Sequence, residues 1–269
     1  MRIDAHAHVW GTELLDVPWL RGDEAAAIRR PFAIGQLEAE LERDGVDRVV
    51  LVAADETDAG NLRLMDVAAG SDRVGAVVAW ADPADPRLPE QVARLAGRPG
   101  GERLGGVRVS AGRAGAAWWW SREVVAGLAE LRDRGLVVEA LVAEGALAAL
   151  AAVCRGLPGL TLVVDHFGGP PGGERGTWTE GIHALAGVDG VQLKVSGAPL
   201  YADAAADLVE TVRAAFGASR LMAGSDWPVS TLHGGGSWQR VVAATAHWSP
   251  DERASLLGGT ASRVYRIAA

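Results

Sequence analysis

Eight short runs rich in apolar and β-branched residues recur along the chain, each separated from the next by a segment long enough to return. That rhythm restricts the fold more than any other feature. The runs cover residues 3–9, 48–54, 74–80, 106–111, 136–142, 161–167, 191–197 and 221–227. From the third onward their starts lie 25 to 32 residues apart, the length of one strand–helix unit. Most are continuously apolar rather than alternating, which suits parallel strands covered on their outer face. The segments between them carry helix punctuation. Leu37 and Leu41 lie four apart before Gly45, residues 121–134 end at Gly135, and residues 204–216 end at Gly217. Thr177-Trp-Thr-Glu180 and Ser249-Pro-Asp-Glu252 both read as capping boxes. Eight such units in 269 residues predict a single (β/α)8 barrel domain spanning 1–269. The alternative is an open doubly wound sheet. No Gly-x-Gly-x-x-Gly follows the first strand and no P-loop occurs, so the main dinucleotide and nucleotide signatures are missing. Residues 11–31 and 228–237 read as long loops, which a barrel would place on its C-terminal face.

Charge narrows the partners. A formal net charge of −8 disfavours nucleic acid and anionic membrane surfaces, which call for a positive face. Cys154 is alone, which excludes an internal disulfide and a cysteine metal cluster. The first residues lack an apolar signal core, and no apolar run approaches the roughly 18 residues of a membrane span. The expected setting is the cytoplasm. The expected partners are a small-molecule substrate and, at most, further copies of the chain.

The polar residues of interest sit at strand ends. Alternation in Ile3-Asp-Ala-His-Ala-His-Val-Trp10 places Asp4, His6 and His8 on one face, where two imidazoles can converge on one ion or one substrate atom. Asp4 would then orient a ring nitrogen from below. The plain alternative is a pair of ordinary histidines on a solvent-facing strand. His166 falls where the sixth strand breaks into a Gly/Pro loop, placed to face the barrel mouth or to bond loop backbone. Asp226 ends the eighth strand; an inward carboxylate there needs metal or histidine for company. It is the natural proton acceptor for an attacking water. Otherwise it caps the next turn. Arg108, Glu139 and Lys194 lie on the fourth, fifth and seventh strands. Arg108 and Lys194 are candidate substrate anchors, though Lys194 would equally serve to neutralise Glu139 or Asp226. Trp19 and Trp118-Trp-Trp120 are candidates for a rim that packs on a sugar-like ring, or for loop staples. His233, in a Gly-rich loop, is a candidate contact to a substrate hydroxyl. His183, His247 and Cys154 read as structural.

Together these strand ends resemble the amidohydrolase superfamily, and within it the branch of sugar-acid lactonases (L-fuconolactone and L-rhamnonolactone hydrolases) and dicarboxylate lactonases. The resemblance runs from Asp4-Ala-His-Ala-His8 through Pro18-Trp-Leu20, Val77-Val-Ala-Trp-Ala-Asp-Pro83, Gly106-Val-Arg108, Val164-Asp-His-Phe-Gly168 and Lys194-Val-Ser-Gly197. It closes with Gly224-Ser-Asp-Trp-Pro228 and Ala261-Ser-Arg-Val-Tyr265. It implies a metal-site pair at His6 and His8, joined by His166 and Asp226, with Asp226 and His166 catalytic. It implies a water nucleophile, with Asp226 as proton acceptor and then donor, and a polarised ester carbonyl. The divalent metal is zinc or manganese in many members, with zinc best matched to these donors, and is lacking in some lactonases. Three departures bear on this. The usual fifth-strand ligand, a His or modified Lys, is replaced by Glu139, itself a candidate ligand or substrate contact. Gly169 stands where related lactonases often have Lys, and Ala53 where they often have Gln. The reaction expected is therefore opening of a small lactone. The alternatives are non-oxidative decarboxylation of an aromatic acid, which typically adds a fifth-strand histidine, and a catalytically silent ligand-binding barrel.

Overall fold

The computed structural model describes residues 1–12, 17–110, 115–142, 144–169 and 175–268. Eight parallel strands, β1 Ile3–Ala7, β2 Arg48–Val52, β3 Val74–Trp80, β4 Leu104–Ser110, β5 Val137–Leu141, β6 Leu162–Val164, β7 Val191–Val195 and β8 Leu221–Ala223, pair in sequence order. A parallel bridge between Ala7 and Trp227 closes the ring, with His8 N–H donating to Trp227 C=O at 2.7 Å and Asp226 N–H to His6 C=O at 2.8 Å. The barrel expected from the rhythm of apolar runs is the observed architecture, and the open sheet is excluded by this closure. Among the described residues no helix is long and apolar enough to cross a membrane.

The helices include α1 Ile34–Asp44, α2 Asp58–Gly70, α3 Leu88–Ala96, α4 Arg122–Asp133, α5 Leu147–Gly156, α6 Arg175–Ala186, α7 Ala205–Phe216, α8 Ser237–Ala244, α9 Pro250–Ala254 and α10 Thr260–Tyr265. Leu37 and Leu41 bury one face of α1, and Gly45 ends it with a left-handed φ of 63°. Ser249 and Glu252 form the expected capping box at α9. Thr177 does not cap a helix: α6 already begins at Arg175, so Thr177 lies inside its first turn. The loop expected at 11–31 holds short 3-10 turns at Pro18–Leu20 and Asp23–Ile28, and that at 228–237 holds one at Val229–His233. Residue 111, the expected end of β4, lies outside the described residues.

Two apolar layers fix what faces where. Ile3, Ala5, Val50, Val52, Ala76, Val78, Val137, Val163 and Met222 form a compact cluster inside the ring, with Tyr265 and Ile267 of the C-terminal segment packed against it. Ala7, Val49, Leu51, Val77 and the helix faces form the larger outer cluster. The inner cluster fills the lower barrel and leaves the C-terminal ends of the strands to polar side chains.

Candidate active site

The first strand departs from strict alternation, and this departure builds the site. Asp4 pairs with Val49 but Ala7 with Leu51, so three steps along β1 match two along β2. The extra residue is a β-bulge, which switches the facing of everything after it. Ile3 and Ala5 point into the lower barrel, and His6 and His8 then take the inward side above them. Asp4 is left on the outer face. It does not orient an imidazole ring; its carboxylate accepts backbone N–H groups of His6 at 3.1 Å and Ser225 at 2.9 Å, stitching β1 to the end of β8. The alternation argument fails here because a bulge leaves no mark in a sequence this short.

The chain also leaves the sheet earlier than the apolar runs suggest on β6 and β8. His166 and Phe167 adopt left-handed φ values of 49° and 59°, and Asp226 one of 55°. Non-glycine residues pay roughly 1–3 kcal/mol for such backbone, which persists where the surroundings over-determine it. Here it aims the His166 ring and the Asp226 carboxylate back over the barrel axis. Two glycines make room. A Cβ on Gly197 would come within 2.6 Å of His166 Nδ1, and one on Gly224 within 2.8 Å of His6 Cβ.

The result is a convergence of side chains from β1, β6 and β8. His6 Nε2 and His8 Nε2 are 3.1 Å apart. Asp226 Oδ1 lies 3.4 Å from His8 Nε2, 3.7 Å from His6 Nε2 and 3.9 Å from His166 Nε2. Each imidazole is tethered through its other nitrogen: His8 Nδ1 donates to Val52 C=O at 2.8 Å, and His166 Nδ1 meets Ser196 Oγ at 2.9 Å. His6 Nδ1 faces Lys194 Nζ at 3.1 Å and Asp165 Oδ1 at 3.2 Å. Burial opposes the charge on Asp226, but the neighbouring His166, His8 and His6 more than reverse this and hold its carboxyl below the ordinary range. Burial, reinforced by the Lys194 ammonium, pushes His6 well below its ordinary value; burial likewise lowers His166. Burial thus disfavours the charged ring at His6 and at His166, while Asp226 is held toward its ionised form.

The spacing of these donors suits one ion. Corners of a tetrahedron with metal–ligand bonds near 2.0–2.1 Å stand about 3.3 Å apart, and His6 Nε2, His8 Nε2 and Asp226 Oδ1 span 3.1 to 3.7 Å. The set of two imidazoles and a carboxylate, with a third imidazole beside it, fits zinc chemically.

Beneath this centre lies a second layer. Lys194 and Glu139 have no exposed side-chain surface and lie 2.6 Å apart as an ion pair, and Tyr265 donates its hydroxyl hydrogen to the other Glu139 oxygen. Both lie under the floor rather than in the cavity. Asp165 completes the layer, 3.3 Å from Lys194 Nζ and 3.7 Å from Arg108 Nε. Burial raises Asp165, but Lys194, His6 and Arg108 outweigh it and hold the carboxyl well below its ordinary value. Sequence reasoning passed over Asp165. Its signal was its place beside His166, where an apolar strand would otherwise not end on a carboxylate.

A cavity of about 470 Å³ opens over the centre, lined by His8, Trp19, Arg108, His166 and Asp226 among others. Trp19 anchors its indole N–H on Ala54 C=O at 2.9 Å. Arg108 donates to Ala53 C=O at 2.7 Å while its Nε has no hydrogen-bond partner among the described residues. His233 is not in this group: it is exposed, against the Tyr201 ring with centroids 5.0 Å apart. Trp119 is fully buried and Trp120 half exposed, and neither lines the cavity; the turn Ala116–Trp120 that carries them packs against α5. Residues 111–114 of the loop before them lie outside the described residues.

Residues 3–267 match the amidohydrolase family model. The chain is 35% identical to an L-fucono-1,5-lactonase of Burkholderia ambifaria, over 99% of this chain and 96% of that protein. It is 30% identical to an L-fucono-1,5-lactonase of Burkholderia multivorans with the same coverage. An amidohydrolase from Burkholderia multivorans, solved with bound zinc, superposes over the full length of both chains with a TM-score of 0.89 and 29% identity.

Proposed function

The chain belongs to the amidohydrolase family, and from that premise we propose that it hydrolyses a small sugar-derived lactone to the open hydroxy acid. The observation that carries this reading is one ionised carboxylate, Asp226, held within 3.4 to 3.9 Å of three imidazole nitrogens at the floor of a cavity. A lactone needs an activated water and a polarised carbonyl, and these groups supply both. The L-fucono-1,5-lactonases it is similar to make a sugar-acid lactone the first substrate class to test.

Asp226 Oδ1 accepts a proton from water as the water oxygen attacks the lactone carbonyl carbon. The tetrahedral intermediate collapses with cleavage of the carbonyl-carbon–ring-oxygen bond, and Asp226 returns the proton to the departing oxygen. His166 and Arg108 face the same cavity and stabilise the developing oxyanion and the new carboxylate. Trp19 presents an indole face on which the apolar side of a sugar ring packs. Zinc would be held by His6, His8 and Asp226, with His166 beside them, and would supply Lewis-acid polarisation of the carbonyl.

Acid release from a panel of sugar-acid lactones, followed with a pH indicator, tests the reading. Turnover of a 1,5- or 1,4-lactone well above the spontaneous rate is the expected result. No turnover across the panel, with and without added zinc, overturns it. Carbon dioxide release from hydroxybenzoates would replace it with the decarboxylase.

A further inference from the structure

Beside the cavity over Asp226 lies a second one, of about 410 Å³. The two share Trp19, Ala54, Glu56, Arg108, Ser110 and Leu141, so they meet along one wall. His8, His166 and Asp226 line only the first. Asp55, Thr57 and Trp80 line only the second. Each cavity alone falls in the range of roughly 300–1,000 Å³ of a small-ligand site. Opening a single lactone ring uses the first and leaves the second without a role. The second is nonetheless firmly built. Trp80 ends β3 in register with Arg108 of β4, so the two stand side by side at the strand ends. Buried Asn61 of α2 clamps the Trp80 backbone: Trp80 N–H donates to Asn61 Oδ1 at 2.7 Å, and Asn61 Nδ2 donates to Trp80 C=O at 2.8 Å. On the shared wall, Ala54 C=O holds the Trp19 indole and Ala53 C=O holds Arg108. Thr57 caps α2, accepting from Gly60 N–H at 3.0 Å while its hydroxyl donates to Asp55.

The lining selects among occupants. Trp19 and Trp80 offer indole faces that pack on the C–H face of a sugar ring. Asp55 and Glu56 bring oxygens that accept hydrogen bonds from hydroxyls. The same carboxylates oppose a negative substituent, and a purely apolar one would desolvate them without return. We propose that the second chamber is a subsite for a neutral sugar ring, so that the enzyme opens aldonolactones carrying a glycosyl group on a hydroxyl outside the ester. The inference rests on the lactonase reading above and extends it. The lactone lies over Asp226, and its glycosyl group reaches past Trp19 and Arg108 to Trp80. Water adds to the carbonyl carbon, the bond to the ring oxygen breaks, and the glycosidic bond is untouched, so the product is a disaccharide acid. A 1,5-lactone of an aldohexonic acid keeps its 2-, 3- and 4-hydroxyls free, and each can carry the glycosyl group without disturbing the ring.

Initial rates on the best monosaccharide 1,5-lactone and on its 2-, 3- and 4-O-glucosyl derivatives test this. At least one derivative is expected to match or exceed the parent in kcat/KM. A value below the parent for all three overturns the proposal and needs no variant. W80A is expected to lower kcat/KM for the best derivative about 10-fold, the reach of one aromatic contact, and to leave the parent lactone unchanged. W80L, which keeps apolar bulk without the indole face, is measured alongside, with folding checked by circular dichroism. A folded Trp80 variant that slows parent and derivative in the same proportion, or neither, overturns the proposal. A glucuronosyl group in place of the glucosyl group is expected to be roughly 5-fold poorer, the effect of a like charge about 4 Å away in water. Equal rates for the two overturn the assignment to a neutral ring. Turnover of the parent lactone without its derivatives defeats this inference alone, whereas no turnover of any lactone defeats the reading beneath it as well.

Discussion

Gly197 is the position where one added methyl group interrogates the whole arrangement. Its φ of 78° and ψ of −165° lie in a region that is essentially glycine's alone, so an alanine there costs roughly 1–3 kcal/mol in backbone strain. The methyl carbon would also stand 2.6 Å from His166 Nδ1 and 2.9 Å from its Cγ. Ordinary contact starts near 3.4 Å, so the ring must retreat by about 0.8 Å or rotate. Either movement breaks the 2.9 Å contact with Ser196 Oγ and carries Nε2 away from Asp226, already 3.9 Å distant. Misplacement of about 1 Å in a reacting group costs on the order of 100-fold in rate. G197A is therefore expected to remain folded, to melt about 2–4 °C lower for each kcal/mol lost, and to lose about 100-fold in kcat/KM on the best lactone. Thermal melts and initial rates, measured on the same preparations, check both. A G197A enzyme with wild-type kcat/KM would refute the claim that His166 is held in place for the reaction.

Other perturbations separate the site from its scaffold. R108M removes the bond to Ala53 C=O and a cation beside buried Asp165, so the melting temperature is expected to fall, while kcat/KM of the folded protein falls roughly 10- to 100-fold, the value of a hydrogen bond to a charged group, measured by initial rates over a substrate series. S249A removes the cap of α9, which lies with Met1 and Arg2 at the opposite end of the barrel. It should cost about 1 kcal/mol in a denaturant titration and leave kcat/KM unchanged. Asp4 carries a pH signature. Burial lifts its carboxyl from 3.8 to about 6, against the hydrogen bonds from Ser225 and His6. The folded protein thus holds this proton more tightly than the unfolded chain, so the contribution is full below about 3.8 and is lost as pH rises through about 6. Unfolding free energies between these limits should show that decline in wild type and lack it in D4N.

The barrel was legible because its cause is periodic. Continuous apolar runs at unit spacing can satisfy their backbone and bury both faces only in a parallel sheet sheathed by helices. His6, His8, His166 and Asp226 stood out because polar groups that end apolar strands need a reason, and the structure brings Asp226 Oδ1 within 3.4 to 3.9 Å of an Nε2 of each histidine and His6 within 3.1 Å of His8. What was hidden depends on register and on distant partners. The β1 bulge moves Asp4 to the outside, and one extra residue carries no compositional mark. Lys194 reads as a substrate anchor until β5 and β7 place Glu139 2.6 Å away. Tyr265 has no evident role until the C-terminal segment closes the lower barrel and brings it to Glu139, 126 residues away in sequence. Asp165 was overshadowed by the histidine that follows it.

The central claim is that Asp226 moves the proton of the attacking water. The most direct measurement is kcat/KM for wild type and D226N on the best sugar-acid lactone, with folding checked by circular dichroism. Loss of a positioned base predicts a decrease of about 100- to 10,000-fold in the folded variant. A D226N enzyme that opens the lactone as fast as wild type would contradict the account.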